Sequence, residues 1–144
     1  MLKVIIILSL FFFNILAAEE YFLTLRNDKV NLRLGPSFDY PIKIIYKKKF
    51  LPVAIKDKSD NFRRIQDHEN NSGWIHISQL SKKKAGITTK DMLLFNKPTK
   101  YSKPIANIEK GRLVIISKCD PEWCKIKTNQ YSGWLKKNLI WGRL

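Results

Sequence analysis

Ser72-Gly73-Trp74 and Ser132-Gly133-Trp134 carry the same tripeptide sixty positions apart, and this repetition decides the fold. An aromatic-plus-basic segment precedes each copy, Phe62-Arg63-Arg64-Ile65 in one and Trp123-Cys124-Lys125-Ile126 in the other. A short run ending in leucine follows each, Gln79-Leu80 and Asn138-Leu139. An internal repeat is read before anything else because it sets the architecture. A sixty-residue period exceeds most solenoid repeats and suits one small all-β domain, so the chain reads as two similar domains in tandem.

Outward from the repeat, the two halves align with small drifts in offset. Pro36 matches Pro98 at 62 positions, Ile55 matches Ile116 and Phe62 matches Trp123 at 61, and Gly73 matches Gly133 at 60. Each lost residue falls in a predicted loop, where length changes cost little. Between these landmarks run short alternating apolar segments bounded by Gly, Pro, Asp, Asn and Ser, the signature of strands. The first half reads as strands at 22–25, 30–34, 42–46, 51–55, 62–66 and 73–77. The second reads as strands at 92–95, 104–108, 113–117, 123–127 and 133–135. No segment after residue 18 shows sustained helical periodicity. The expected organisation is a domain over 21–81, a basic linker over 82–90 opening on Lys82-Lys83-Lys84-Ala85-Gly86, and a second domain over 91–142. Units of about 55 residues are small for unaided folding, so they need efficient cores, mutual packing or a covalent staple.

Residues 1–18 are different material. Lys3 supplies one positive charge, Val4 to Leu16 is almost wholly apolar, and Ala17-Ala18 places small residues before Glu19-Glu20. This is the pattern of a secretory signal peptide, with cleavage expected after Ala18. The apolar stretch is shorter than the roughly 20 residues of a spanning helix, and Asn14 interrupts it. Retention as an anchor is the competing reading, because Leu16 sits where the cleavage site prefers a small residue. The expected location is the periplasm, with no transmembrane segment in the mature chain.

Net charge is +15, or +14 once Lys3 is removed. Such a charge attracts anionic partners. It is also what a composition rich in Lys, Ile and Asn yields without selection for a ligand. Lysines number 21 of the 27 basic residues and arginines 6, whereas bidentate phosphate recognition favours arginine. Together with the export signal, this argues against nucleic acid as a partner.

Val30-Asn31-Leu32-Arg33-Leu34-Gly35-Pro36-Ser37, then Tyr40-Pro41-Ile42, then Gly73-Trp74-Ile75 closing on Leu80, resembles the bacterial Src-homology-3-like (SH3b) domain. A strand runs into Gly-Pro-Ser, a long irregular loop follows, and after a hairpin the last strand opens on Gly-Trp. Tyr46 to Val53, Asn61-Phe62-Arg63-Arg64-Ile65, the two cysteines and Leu139-Ile140-Trp141-Gly142 are similar to a family of exported tandem-domain proteins of Gram-negative bacteria. The second half departs at its start, where Leu93-Leu94-Phe95-Asn96-Lys97-Pro98 replaces the Leu-Arg-x-Gly-Pro pattern. The resemblance implies two small SH3-like β-barrels and a non-catalytic binding or targeting role in the envelope, with peptidoglycan or a partner protein as ligand. A structural scaffold without a ligand groove is the alternative.

Cys119 and Cys124 are the only cysteines. An even count in an exported chain predicts a disulfide. Cys119 ends one expected strand and Cys124 starts near the beginning of the next, so a tight turn at Asp120-Pro121 would bring them together. Two such ligands without a linked histidine do not make a metal site. The acidic residues fall mostly in turn positions, no serine-nucleophile or phosphate-loop motif is present, and neither His68 nor His76 has a motif tying it to a cysteine. No enzyme and no cofactor are expected.

Among aromatic residues, Trp123 should point away from the strand face shared by Cys124 and Ile126, and Phe62 away from Ile65. In Src-homology-3 domains an aromatic at this position lies on the peptide-binding face beside rings of the long loop, which here offers Phe38, Tyr40 and Tyr101. The resemblance therefore implies one shallow groove at Tyr40 and Phe62 and a second at Tyr101 and Trp123. The competing reading is that these rings cap the small cores or pack the domains together. Trp74 and Trp134 are expected to be structural.

Overall fold

The computed structural model describes residues 21–144, so the signal-peptide expectation for residues 1–18 lies outside the described residues. The first half forms seven strands: β1 Tyr21–Leu25, β2 Val30–Arg33, β3 Ile42–Tyr46, β4 Pro52–Ser59, β5 Phe62–Gln66, β6 Ser72–His76 and β7 Leu80–Ser81. The second half repeats them as β8 Ala85–Thr88, β9 Met92–Phe95, β10 Pro104–Ile108, β11 Leu113–Cys119, β12 Trp123–Thr128, β13 Tyr131–Lys136 and β14 Ile140–Arg143. Helix among the described residues is confined to single 3-10 turns at Ile77–Gln79 and Lys137–Leu139.

The strand order is β3-β2-β6-β5-β4-β1-β7 in one sheet and β10-β9-β13-β12-β11-β8-β14 in the other. Adding seven to each strand of the first gives the second, so both halves fold by one topology, as their alignment implies. All pairings are antiparallel. The local causes repeat too. The β5–β6 connection turns through Asn70 at φ 66° and its counterpart, the β12–β13 hairpin, through Asn129 at φ 48°. Asn tolerates this left-handed conformation. Register shifts fall at equivalent places, between Ile55 and Asp57 and between Ile116 and Lys118. A bulge there bends the longest strand of each sheet and helps curl it into a barrel.

The cores are homologous. Leu32, Val53, Ile55, Ile65, Ile75 and Leu80 are buried in the first barrel. Leu94, Val114, Ile116, Ile126, Leu135 and Ile140 occupy the same positions in the second. The repeated glycine explains the Ser-Gly-Trp motif. A Cβ on Gly73 would lie 2.7 Å from the Arg33 carbonyl oxygen and 2.7 Å from Leu32, and one on Gly133 would lie 2.6 Å from the Phe95 carbonyl oxygen. At these points β6 crosses β2 and β13 crosses β9, with Arg33 paired to Trp74 and Phe95 to Trp134. Only glycine admits so close a backbone approach. Trp74 and Trp134 are half-buried beside the crossing.

The expected linker over 82–90 is corrected. Ala85–Thr88 is strand β8, buried at all four positions, and it lies between β11 and β14. Burial on both faces removes the polar alternation by which a strand is read, and the lysines before it suggest a loop. Only Lys82, Lys83 and Lys84 lie between β7 and β8.

The barrels consequently pack against each other. Ile87 joins the first core, and Leu113 packs against it. Phe22 of β1 meets Trp141 of β14 edge to face at 4.9 Å. Arg143 Nε and Nη1 donate to the carbonyls of Lys82 and Phe22 at 3.0 and 2.8 Å, and Thr24 Oγ1 donates to the Lys83 carbonyl at 2.8 Å. Small units gain from this shared burial what each lacks alone.

The second barrel also carries a covalent staple. Cys119 and Cys124 are bonded, their Cα atoms 4.0 Å apart as directly opposed residues of β11 and β12. Asp120 closes the turn between them, its carboxylate accepting from the backbone N–H of Glu122 and Trp123 at 2.8 and 2.7 Å. In the first barrel Lys58 stands opposite Arg63 at the same register, so the bridge belongs to the second barrel alone.

Candidate functional site

In the first barrel the loop from Leu34 to Pro41 connects β2 to β3. Leu34 N–H donates to the Pro41 carbonyl at 3.0 Å, closing the loop at its base. Arg33 holds it from within: Nη1 donates to the carbonyls of Phe38 and Tyr40 at 3.1 and 2.9 Å, and the guanidinium lies 5.4 Å from the Phe38 ring centre. A charged donor on two loop carbonyls fixes the tip without a buried core.

The loop tip lays Phe38 across two strands. Its ring centre is 5.2 Å from Phe62 at 70° and 5.0 Å from His76 at 30°, and Phe62 lies 5.1 Å from His76 at 81°. Phe62 and His76 are directly opposed on β5 and β6. Their rings form a base on which Phe38 rests. His76 Nδ1 accepts from Ser78 N–H at 3.2 Å, which fixes the imidazole plane. Phe62 is buried at 6 % exposure but apart from the main cluster of the first core, whereas Phe38 remains 62 % exposed. Edge-to-face packing of this kind stabilises the arrangement beyond area burial.

The strand-parity expectation thus holds for Phe62, while its partner differs. Tyr40 packs on Gly35, where a Cβ would come within 2.3 Å of its ring, and Phe38 is the ring beside Phe62. His76 is the member that sequence reading did not single out. Its signal was the hairpin register, since pairing Gln66 with Ser72 also sets Phe62 against His76.

The second barrel is built differently. Cys124 and Ile126 enter its core, and Trp123 points to the other face as parity requires. Trp123 is nonetheless 6 % exposed. Phe95 meets it edge-on at 5.8 Å and the Lys136 ammonium lies 4.8 Å from its ring centre. Lys136 stands opposite Trp123, as His76 stands opposite Phe62. Tyr101 projects from the Asn96–Lys103 loop at 87 % exposure, with the Lys100 ammonium 5.2 Å from its ring centre. The structure therefore assembles Phe38 with Phe62 and His76, and it does not bring Tyr101 onto Trp123.

Comparison with known proteins agrees with this architecture. The family model for the bacterial SH3 domain matches twice, over residues 26–82 and 89–142. Both matches begin after the first strand of their barrel, β1 or β8. No curated protein matches the chain. Among solved structures, NlpC2 from Trichomonas vaginalis is similar at 12 % identity and a TM-score of 0.39, over 85 % of this chain and 48 % of that one. NlpC1 from the same organism gives 12 % and 0.39, over 85 % and 45 %. An NlpC/P60 family protein from Bacillus cereus ATCC 10987 gives 13 % and 0.37, over 83 % and 55 %. The chain spans about half the length of these structures. Two matched segments covering most of the chain, each lying within one seven-stranded barrel, make this protein a member of the bacterial SH3 domain family that carries the domain twice.

Proposed function

We propose that the protein is a non-catalytic binding module of the periplasm, and that its first barrel takes a peptide chain of the envelope on the Phe38 face. The carrying observation is the exposed Phe38 ring held by Arg33 on a base of Phe62 and His76. An aromatic side chain kept 62 % open on a fixed loop offers a contact surface with little conformational entropy left to lose. Export is supported by the Cys119–Cys124 bridge, since such bonds persist in oxidising compartments. The peptide chain could come from peptidoglycan stems or from a partner protein. In the second barrel the burial of Trp123 under Phe95 and Lys136 favours a scaffolding role.

Cosedimentation with purified wall sacculi across a salt series tests the reading with wild type and Phe38→Ser. Binding that survives high salt is expected for wild type, because screened lysine contacts fade there. Phe38→Ser should lose it while staying folded, with a melting temperature lowered by only about a few degrees for the lost ring contacts. Equal binding by both proteins would overturn the assignment of the face. Absence of binding at any salt would assign the face to a protein partner, to be captured by crosslinking from position 38 in the periplasm.

A further inference from the structure

A second concavity lies where the barrels meet, remote in construction from the Phe38 face. It encloses about 260 Å³ and is lined from one side by Gln66, Asp67, His68 and Asn70 and from the other by Thr89, Lys110 and Trp141. Ile87 of β8 packs into the first core and Trp141 of β14 packs against Phe22, so the two walls meet at one packed junction. Domain junctions are preferred places for small-ligand sites.

The polar groups of this cleft divide into satisfied and unsatisfied ones. Asp67 is 4 % exposed and its two oxygens accept four bonds: from the backbone N–H of Glu69 and Asn71, from Asn71 Nδ2 and from the Tyr46 hydroxyl, at 2.8 to 3.0 Å. It shapes the wall and has no acceptor capacity left for a ligand. Thr88, also in the lining, uses its Oγ1 to donate to the Glu109 carbonyl and accept from Arg112 N–H, and is likewise occupied. Gln66 Nε2 bonds Asn70 Oδ1 at 3.1 Å, which leaves this amide pair with a carbonyl and an NH₂ group unused. Asn70 sits at φ 66°, so its side chain is presented by a fixed turn. The Lys110 ammonium has no acceptor among the described residues, while its backbone N–H is held by Asp91 at 2.8 Å. His68 pairs with Glu69 at 3.4 Å, and Trp141 with Ile87 supplies the apolar floor.

One cation, one amide donor with one amide acceptor, and an apolar floor in so small a volume match a short peptide end. We propose that the cleft between the barrels binds the carboxylate terminus of a peptide, with Lys110 on the carboxylate, the Gln66–Asn70 pair on the last amide and Trp141 against the side chain. The site does not rest on the Phe38 face and goes beyond it.

The test uses N-acetyl-alanyl-alanine and its C-terminal amide as probes, titrated into the whole protein while the Trp141 indole N–H is followed by NMR. That resonance is assigned with Trp141→Phe. The free acid should shift the Trp141 signal saturably, and amidation or Lys110→Gln should weaken binding about tenfold or more by removing one charge-assisted bond. Phe38→Ser should leave the titration unchanged. Lys110 is exposed, so its variant should fold as wild type does. Equal response to acid and amide, insensitivity to Lys110→Gln, or no shift at Trp141 would each overturn the proposal. None of these results bears on sacculus binding through Phe38, so the two sites fail separately.

Discussion

The Tyr46 hydroxyl donates a 2.8 Å hydrogen bond to Asp67 Oδ2, joining the end of β3 to the turn between β5 and β6. Burial pushes the Tyr46 phenol far above its ordinary value, and the Asp67 bond and charge push it further. At Asp67 burial alone would raise the carboxyl. The bonds from Asn71, Tyr46 and the backbone N–H of Asn71 and Glu69 outweigh it and hold the group below the ordinary value. The pair is thus a hydrogen-bonded acid whose charged form the fold prefers.

Stability should consequently fall at both ends of the pH scale. Below about pH 4 the unfolded chain takes up the Asp67 proton before the folded one does, so the contribution of Asp67 is lost as pH falls. Above about pH 10 the unfolded chain ionises Tyr46 while the folded one resists, so stability falls again as pH rises. Urea midpoints across this range check both limbs. Asp67→Asn should cost about 1–3 kcal/mol near neutrality and flatten the acid limb. An acid limb as steep as that of wild type would refute the assignment.

Breaking the Cys119–Cys124 bridge should cost about 2 kcal/mol on the loop-entropy account of so short a ring. The double variant Cys119→Ser with Cys124→Ser is measured by urea denaturation against wild type, with and without reductant. Reductant should weaken wild type and leave the double variant unchanged. A thiol assay that finds reactive cysteines in protein exported to the periplasm would contradict the pairing.

Gly73→Ala and Gly133→Ala should each destabilise by about 1–3 kcal/mol, since the added methyl presses on a neighbouring backbone carbonyl that cannot move aside. Thermal melts followed by tryptophan fluorescence report it. Similar losses at both sites are expected because both strands cross a neighbour in the same way. A neutral substitution at either would refute the close-crossing explanation of the repeat.

The barrels should unfold as one cooperative unit. Trp141→Ala removes the edge-to-face contact with Phe22 and should cost about 2–4 kcal/mol. Gly142→Ala meets the Ala85 carbonyl at 2.5 Å and stands at φ 148°, so it too should weaken the junction. Differential scanning calorimetry should show one transition in wild type and broadened or split transitions in these variants. Two resolved transitions in wild type would show that the junction carries little coupling.

Much of this was legible in the chain itself. The repeated Ser-Gly-Trp, the matched offsets and the alternation of apolar residues determine two all-β units of one topology, because strand period and turn chemistry are local properties. The cysteine spacing determines the bridge for the same reason, since one tight turn joins the pair. Strand β8 escaped because both of its faces are buried, one by each barrel, and neither barrel is visible from four residues. The choice of Phe38 over Tyr40 beside Phe62, the entry of His76, and the burial of Trp123 under Phe95 and Lys136 were decided only by tertiary structure. Loop path and cross-strand register set which rings meet, and both depend on how the whole barrel closes.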